Sequence, residues 1–432
     1  MRNYFLLFIL ILIYSCTPTK RIGKTAQKNV INSPVLQNAH IGIAIFEPAT
    51  GKWWYRYQDD KYFVPASNTK LATCYAAMKY LGDSLAGMDY LETDSVLFIR
   101  ATADPTFLHR DYKTQPAFAF LKKQTKKLCY VFPNPDVEAY GDGWAWNDYN
   151  EGYMAERSEL PIYGNVIEYK LQKNNKSYIL NGDIPFFKYA LNSLVDSLSP
   201  HIQITRIRYE NTFYVQPAKG NFSTVQIPFR TYQNQRLLED TLKKAWLDKV
   251  SPPINAKFNS IYSQPTDSLL KPMMHRSDNF FAEQSLLMVS NSRLGYMSDA
   301  KIIDNLLQTD FKDLPQKPRW VDGSGLSRYN LFSPQDFVTI LNKMKSEFGM
   351  ERIKIILATG NNGTLTNYYK ADSTYIFAKT GTLSGVVAIS GFLYTKQNKL
   401  LLFSVLVNNH NAAATEVRRT IEKFIEAIRN QY

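Results

Sequence analysis

Three cysteines in 432 residues are too few to build a disulfide-held scaffold. The five histidines (His40, His109, His201, His275 and His410) fall into no H-E-x-x-H or comparable spacing, so the sequence calls for no metal and no other cofactor. After Tyr14 no apolar run approaches the roughly 20 residues that a membrane-spanning helix needs. Twenty glycines and twenty prolines, without period, exclude collagen-like and low-complexity chains. Acidic residues are outnumbered, 38 against 51 Lys and Arg, for a net charge of +13. That surplus suits an anionic partner: nucleic acid, an acidic membrane surface or a carboxylate-bearing ligand. No nucleic-acid-binding module accompanies it, so nucleic acid is set aside. What is present is a core: 45% hydrophobic and 14% aromatic residues exclude wholesale disorder. One core rarely grows past about 250–300 residues, so the length asks for two units or one domain with a large insertion.

The N-terminus reads as an export signal. Arg2 is the basic flank, Phe5 to Tyr14 is the apolar stretch, and residues 1–15 form the expected signal peptide. Ile13-Tyr14-Ser15-Cys16 resembles a bacterial lipoprotein lipobox, which implies cleavage before Cys16 and a lipid anchor on it. Residues 16–35 look polar, basic and aperiodic, as a flexible linker to the folded body. Ile41 to Phe46 and Trp53 to Tyr57, parted by Pro48-Ala49-Thr50-Gly51-Lys52, read as a β-hairpin. A helix opens at Pro65-Ala66-Ser67, with Leu71, Cys74, Met78 and Leu81 at helical spacing. Asn279 to Val289 reads as an apolar helix central to the core. Tyr375 to Lys379, Val386 to Tyr394 and Lys399 to Asn408 read as strands, and Glu416 to Ile428 as a terminal helix. Between them the texture is β-rich and aromatic. We therefore expect one α/β (α+β) domain over 36–96 and 251–432, with an antiparallel sheet flanked by helices, interrupted by a β-rich insertion over 97–250.

Three short patterns follow one another: Ser67-Asn68-Thr69-Lys70, Ser277-Asp278-Asn279 and Lys379-Thr380-Gly381-Thr382. Ser67 and Lys70, three apart at a helix start, project from one face. A lysine packed on a serine hydroxyl, with another cation near, can lose its proton and serve as base. Ser277 can relay a proton to a leaving amine, and Asn279 can donate to Lys70 or to a substrate amide. Lys379 and Thr380 offer a cation and a hydroxyl to a carboxylate, and Gly381 lets backbone approach closely. The amides of Ser67 and Thr382 would form an oxyanion hole, worth roughly 3–4 kcal/mol per donor. S-x-x-K alone says little, since Ser268–Lys271 and Ser298–Lys301 repeat it, but neither repeat is followed by the other two motifs.

This set is that of penicillin-binding proteins and class A β-lactamases. With Asp322-Gly323-Ser324-Gly325-Leu326-Ser327-Arg328-Tyr329-Asn330, Ala103-Asp104-Pro105-Thr106 and Gly143-Trp144-Ala145-Trp146-Asn147-Asp148, the chain resembles the D-alanyl-D-alanine carboxypeptidase/endopeptidase family, the class C penicillin-binding proteins, from about residue 37 onward. The resemblance implies a β-lactamase/transpeptidase-like fold and a serine DD-peptidase. Such an enzyme cleaves peptidoglycan stem peptides at D-Ala-D-Ala or at D-Ala cross-links, and β-lactams inhibit it covalently. Carried over by motif, Ser67 is the nucleophile, Lys70 the base, Ser277 and Asn279 the relay, and Lys379 with Thr380 the carboxylate clamp. Asp148 is the match for an acidic residue that binds the side-chain amine of the stem peptide. A periplasmic location follows, and the oligomeric state is left open.

Two other readings fit the sequence less well. A non-catalytic lipoprotein that binds peptidoglycan predicts a damaged motif, whereas all three are intact. A class A β-lactamase needs Glu-x-x-x-Asn for fast deacylation; that spacing occurs at Glu426 and Asn430, beyond K-T-G, so at most slow β-lactam or ester hydrolysis is expected. His275 and Cys74 are read as structural, a Cys74–Cys129 disulfide as unsupported, and Trp144 and Trp146 as core packing rather than sugar platforms.

Overall fold

In the computed structural model the described residues are 18–432, apart from 133–137, 175–176, 188, 192–202, 217–223, 245, 248–249 and 372. The expected signal peptide and Cys16 lie outside them. The chain divides into two compact units. One takes in the chain up to Leu71 with Asp313–Trp320 and Tyr329–Tyr432; the other takes in Ala72–Lys312 and Val321–Arg328.

The first unit is built on a six-stranded antiparallel sheet in the order Ala358–Thr359, Ile376–Leu383, Val386–Tyr394, Leu400–Asn408, His40–Glu47, Lys52–Tyr57. The expected hairpin and the three C-terminal strands are all in it. Val386–Tyr394 and Leu400–Asn408 are buried along nearly their whole length, which is why they read as continuous apolar runs rather than alternating ones. The terminal helix Ala414–Gln431 covers one face through Val417, Ile421, Phe424, Ile425 and Ile428, the i, i+4, i+7, i+8 stripe of an amphipathic helix.

One expectation is overturned here. Within the expected linker 16–35 the described residues, from 18 on, are not loose: Pro18–Ala26 is a helix, continued by a wider turn at Gln27–Ile31 and a short 3-10 turn at Pro34–Leu36. Ile22, Ala26 and Val30 recur every fourth residue and are completely buried, with Leu36, in the core beneath the terminal helix. Fully burying an Ile, Val or Leu is worth roughly 1.5–3 kcal/mol, and three together order a segment whose other residues are basic or polar. Gln431 donates to Thr25 Oγ1 at 3.0 Å, so the two ends of the described chain meet.

The second unit holds a five-stranded mixed sheet, in the order Trp246–Leu247, Lys127–Tyr130, Val96–Arg100, Ser84–Glu92, Asn259–Pro265, and two three-stranded sheets. The expected insertion, 97–250, lies inside this unit, but the unit extends beyond it. Ser84–Glu92 pairs with Val96–Arg100 on one side and with Asn259–Pro265 on the other, so strand pairing carries the unit across both expected boundaries. The helix Asn279–Leu294 is its apolar centre, with every residue from Phe280 to Ser290 buried.

Candidate active site

Ser67 stands in a single 3-10 turn, Ala66–Thr69, which passes directly into the helix Lys70–Tyr80. Lys70, fully buried, donates from Nζ to Ser67 Oγ at 3.0 Å. Ala66, just before Ser67, is forced to a φ of +47°. Such strain persists only where surroundings over-determine it, and here they do. Asn68, oriented to satisfy its neighbours, donates to the Lys379 carbonyl at 2.8 Å and accepts from the Ser390 amide at 3.2 Å. It thereby ties the turn to both Ile376–Leu383 and Val386–Tyr394. Sequence reasoning missed Asn68, which stands at an unspecified position of S-x-x-K between the two motif residues.

The K-T-G strand Ile376–Leu383 pairs with Val386–Tyr394, setting Lys379 opposite Ser390 and Gly381 opposite Ala388. A Cβ on Gly381 would lie 2.7 Å from the Pro65 carbonyl and 3.0 Å from the Ser67 amide. Only glycine lets the strand approach the Ser67 turn so closely. Lys379 is completely buried, and its Nζ donates to the Thr380 carbonyl at 2.6 Å. Burial, and then the charges of Lys70 and Arg418, push its ammonium well below the usual lysine range. Two buried lysines thus act on one another, where a second positive charge is costly. That is the environment a serine needs if its neighbour is to take a proton from it.

In the second unit Ser277 links the helix Thr266–His275 to Asn279–Leu294 and has a φ of +61°. Asp278 caps the second helix by accepting from the Phe281 amide at 3.0 Å. Arg276 pairs with Asp111 at 2.6 Å and reaches Asp278 at 3.5 Å. Asn279 donates to the Tyr153 carbonyl at 3.1 Å, while the Tyr153 hydroxyl donates to Asp148 Oδ2 at 2.8 Å. Two of the expected residues, Asn279 and Asp148, are therefore linked through Tyr153, which the sequence did not single out. A cavity beside them is lined by Ser277, Asp278, Asn279, His109, Asp111 and Arg276 among others. His109 packs on Phe281, and burial holds its ring neutral, lowered to about 4.

The remaining signature residues are structural anchors. Asp322, fully buried, accepts from the Gly325 and Ser327 amides at 2.8 and 2.7 Å and from Trp144 Nε1 at 2.8 Å. Asp104 accepts from the Thr106 amide at 2.9 Å. Trp146 departs from the core-packing expectation: it is 66% exposed, with Arg208 stacked over its ring. Cys74 and Cys129 are both buried and no disulfide joins them. Among the described residues there is no group of three or more His, Cys, Asp or Glu placed to hold a metal, and no helix long and apolar enough to cross a membrane.

A serine held just after a strained turn residue and seated on a buried lysine, under a strand that only glycine lets close, defines a serine acyl-transfer site. The chain belongs to the D-Ala-D-Ala carboxypeptidase 3 (S13) family, whose pattern it matches over residues 24–431; it is a serine peptidase. It is similar to D-alanyl-D-alanine carboxypeptidase DacB of Haemophilus influenzae, at 24% identity over 87% of each chain. It is also similar to the D-alanyl-D-alanine carboxypeptidase of Actinomadura sp. strain R39, at 22% over 89% of this chain and 80% of the relative. The crystal structure of penicillin binding protein 4 from Haemophilus influenzae shares the fold. Its TM-score is 0.73 at 19% identity, over 95% of this chain and 98% of that one, and the same protein has been solved complexed with a β-lactam.

Proposed function

We propose that this chain is an exported serine DD-peptidase that cleaves peptidoglycan stem peptides through an acyl-enzyme on Ser67. The observation that carries this reading is the 3.0 Å contact between Lys70 Nζ and Ser67 Oγ with the lysine fully buried. Ser67 Oγ attacks the carbonyl between the two terminal D-alanines while its proton passes to Lys70. The tetrahedral oxyanion takes hydrogen bonds from the Ser67 and Thr382 amides. The C–N bond breaks as Ser277 passes a proton to the departing amine, which is D-Ala in the carboxypeptidase reaction or a cross-linking amine in the endopeptidase reaction. Water then hydrolyses the ester, with Lys70 again handling the proton. Asn279 holds the relay side, and Asp148 receives a cationic side chain of the stem peptide; Asp148→Asn should remove the preference for peptides carrying a free side-chain amine. Residues 97–250 are the inserted domain, residues 1–15 the signal peptide and Cys16 the lipidated residue. Incorporation of labelled fatty acid that persists in Cys16→Ser would sink the anchor. Rapid β-lactamase activity is disfavoured because Glu426 and Asn430 lie on the terminal helix Ala414–Gln431.

The deciding experiment is labelling with a fluorescent penicillin. A stable covalent adduct is expected on the wild type and none on Ser67→Ala; an adduct on Ser67→Ala would remove the nucleophile assignment. Release of D-Ala from a stem pentapeptide, against digestion of cross-linked muropeptide, then separates the two peptidase activities.

A further inference from the structure

Side chains alternate along a strand, so Lys379 and Gly381 share one face of Ile376–Leu383 while Thr380 and Thr382 share the other. The Lys379 and Gly381 face is closed: Gly381 lies against Pro65 and Ser67, and Lys379 is fully buried with its ammonium on the Thr380 carbonyl. On the other face lies Arg418, on the first turns of the terminal helix. Its neighbour Val417 is pinned in the core, which fixes where the arginine points. Arg418 Nη2 donates to Thr382 Oγ1 at 2.5 Å, and the side chain lines a small pocket together with Thr380. Its Nε is buried and has no hydrogen-bond partner. The next residue, Arg419, is instead held at 2.5 Å by Glu422 and donates to the Asn367 carbonyl at 3.0 Å. Arg418 therefore leans on one neutral hydroxyl with a buried N–H unspent, beside the two hydroxyls that the motif offers.

We propose that Arg418 is a specificity-determining residue, its guanidinium joining the Thr380 and Thr382 hydroxyls to receive the C-terminal carboxylate of the peptide. A planar fork of N–H donors suits a carboxylate better than a point charge does. The expected clamp thereby changes membership. Lys379 acts from beneath, through the Thr380 carbonyl and the shared charge with Lys70, and Arg418 supplies the cation that meets the substrate. This assignment rests on the serine DD-peptidase reading.

The test compares kcat/KM for a peptide ending in D-Ala-D-Ala with that for the same peptide bearing a C-terminal amide. The wild type should prefer the free carboxylate. In Arg418→Gln the ratio of the two should fall at least tenfold, and Arg418→Lys should keep part of it. Thr382→Val, which leaves the guanidinium in place without its rest, should lower the ratio less than Arg418→Gln does. If Arg418→Gln slows both peptides equally, or keeps the wild-type ratio, the arginine only braces the strand and the proposal is overturned. If the wild type forms no penicillin adduct and releases no D-Ala, the peptidase reading itself fails, a result distinct from loss or retention of the ratio.

Discussion

The two serines proposed here for catalysis, Ser67 and Ser277, are mounted in opposite ways. Both stand at left-handed backbone, Ala66 at +47° beside Ser67 and Ser277 itself at +61°. Around Ser67 the strain is held by buried, largely neutral contacts: Asn68 bridging two strands, and a glycine packed under the turn. Around Ser277 it is held by charged groups, the Arg276–Asp111–Asp278 cluster, whose side chains are 24–49% exposed. Steric and buried polar restraints neither screen nor titrate, whereas exposed ion pairs do both. The surroundings of Ser67 are thus built for fixed geometry, and those of Ser277 for geometry that conditions can loosen.

The comparison can be broken at its strongest point by Gly381→Ala. A Cβ 2.7 Å from a carbonyl must push the strand from the nucleophile turn. A displacement of that order costs about 100-fold in kcat/KM, and acylation by labelled penicillin would read it. A near-wild-type rate would show that the close approach is not needed. Arg276→Gln should do far less, since exposed pairs contribute about 0–1 kcal/mol. We expect a fall of up to about fivefold at low salt that disappears when both proteins are assayed at high salt, where the wild-type pair is already screened. A salt-independent loss would place Arg276 among the rigid restraints.

The last prediction leaves activity aside and concerns how stability depends on pH. Burial raises the Asp104 carboxyl to about 6, against hydrogen bonds from Ser263 and Thr106 that favour its charged form. The folded state therefore binds the proton more tightly than the unfolded chain does. This group's stabilisation is complete below about pH 4 and is lost as pH rises through about 6. Two units correspond to about 3 kcal/mol. Urea unfolding of Asp104→Asn at pH 4 and pH 7 should show a correspondingly shallower decline than the wild type; equal slopes would mean the carboxyl titrates normally.

How much of this was legible in the sequence follows from how far apart the partners lie. S-x-x-K, S-D-N and K-T-G are local patterns with local reasons, and the core strands announced themselves by unbroken apolar runs. Asn68 and Arg418 could not be read that way, because each meets the K-T-G strand across an interval of chain that encodes no register. Tyr153 is one aromatic among 28 tyrosines until Asn279 and Asp148 are seen on either side of it. Trp146 was misjudged because tryptophan is usually buried, and nothing nearby in the chain revealed Arg208 as its cover. The N-terminal helix was missed for a different reason: a stripe of only Ile22, Ala26 and Val30 is diluted by lysine and threonine until the terminal helix supplies its other half.

The N-terminal helix makes the beginning of the described chain part of the same core as its end. Ile22, Ala26 and Val30 lie buried with Phe424, Ile425 and Ile428, and Gln431 meets Thr25. A version trimmed to begin at residue 37 would keep every motif residue and yet bare that shared apolar face, so it should lose solubility and cooperative unfolding while every motif group is still present.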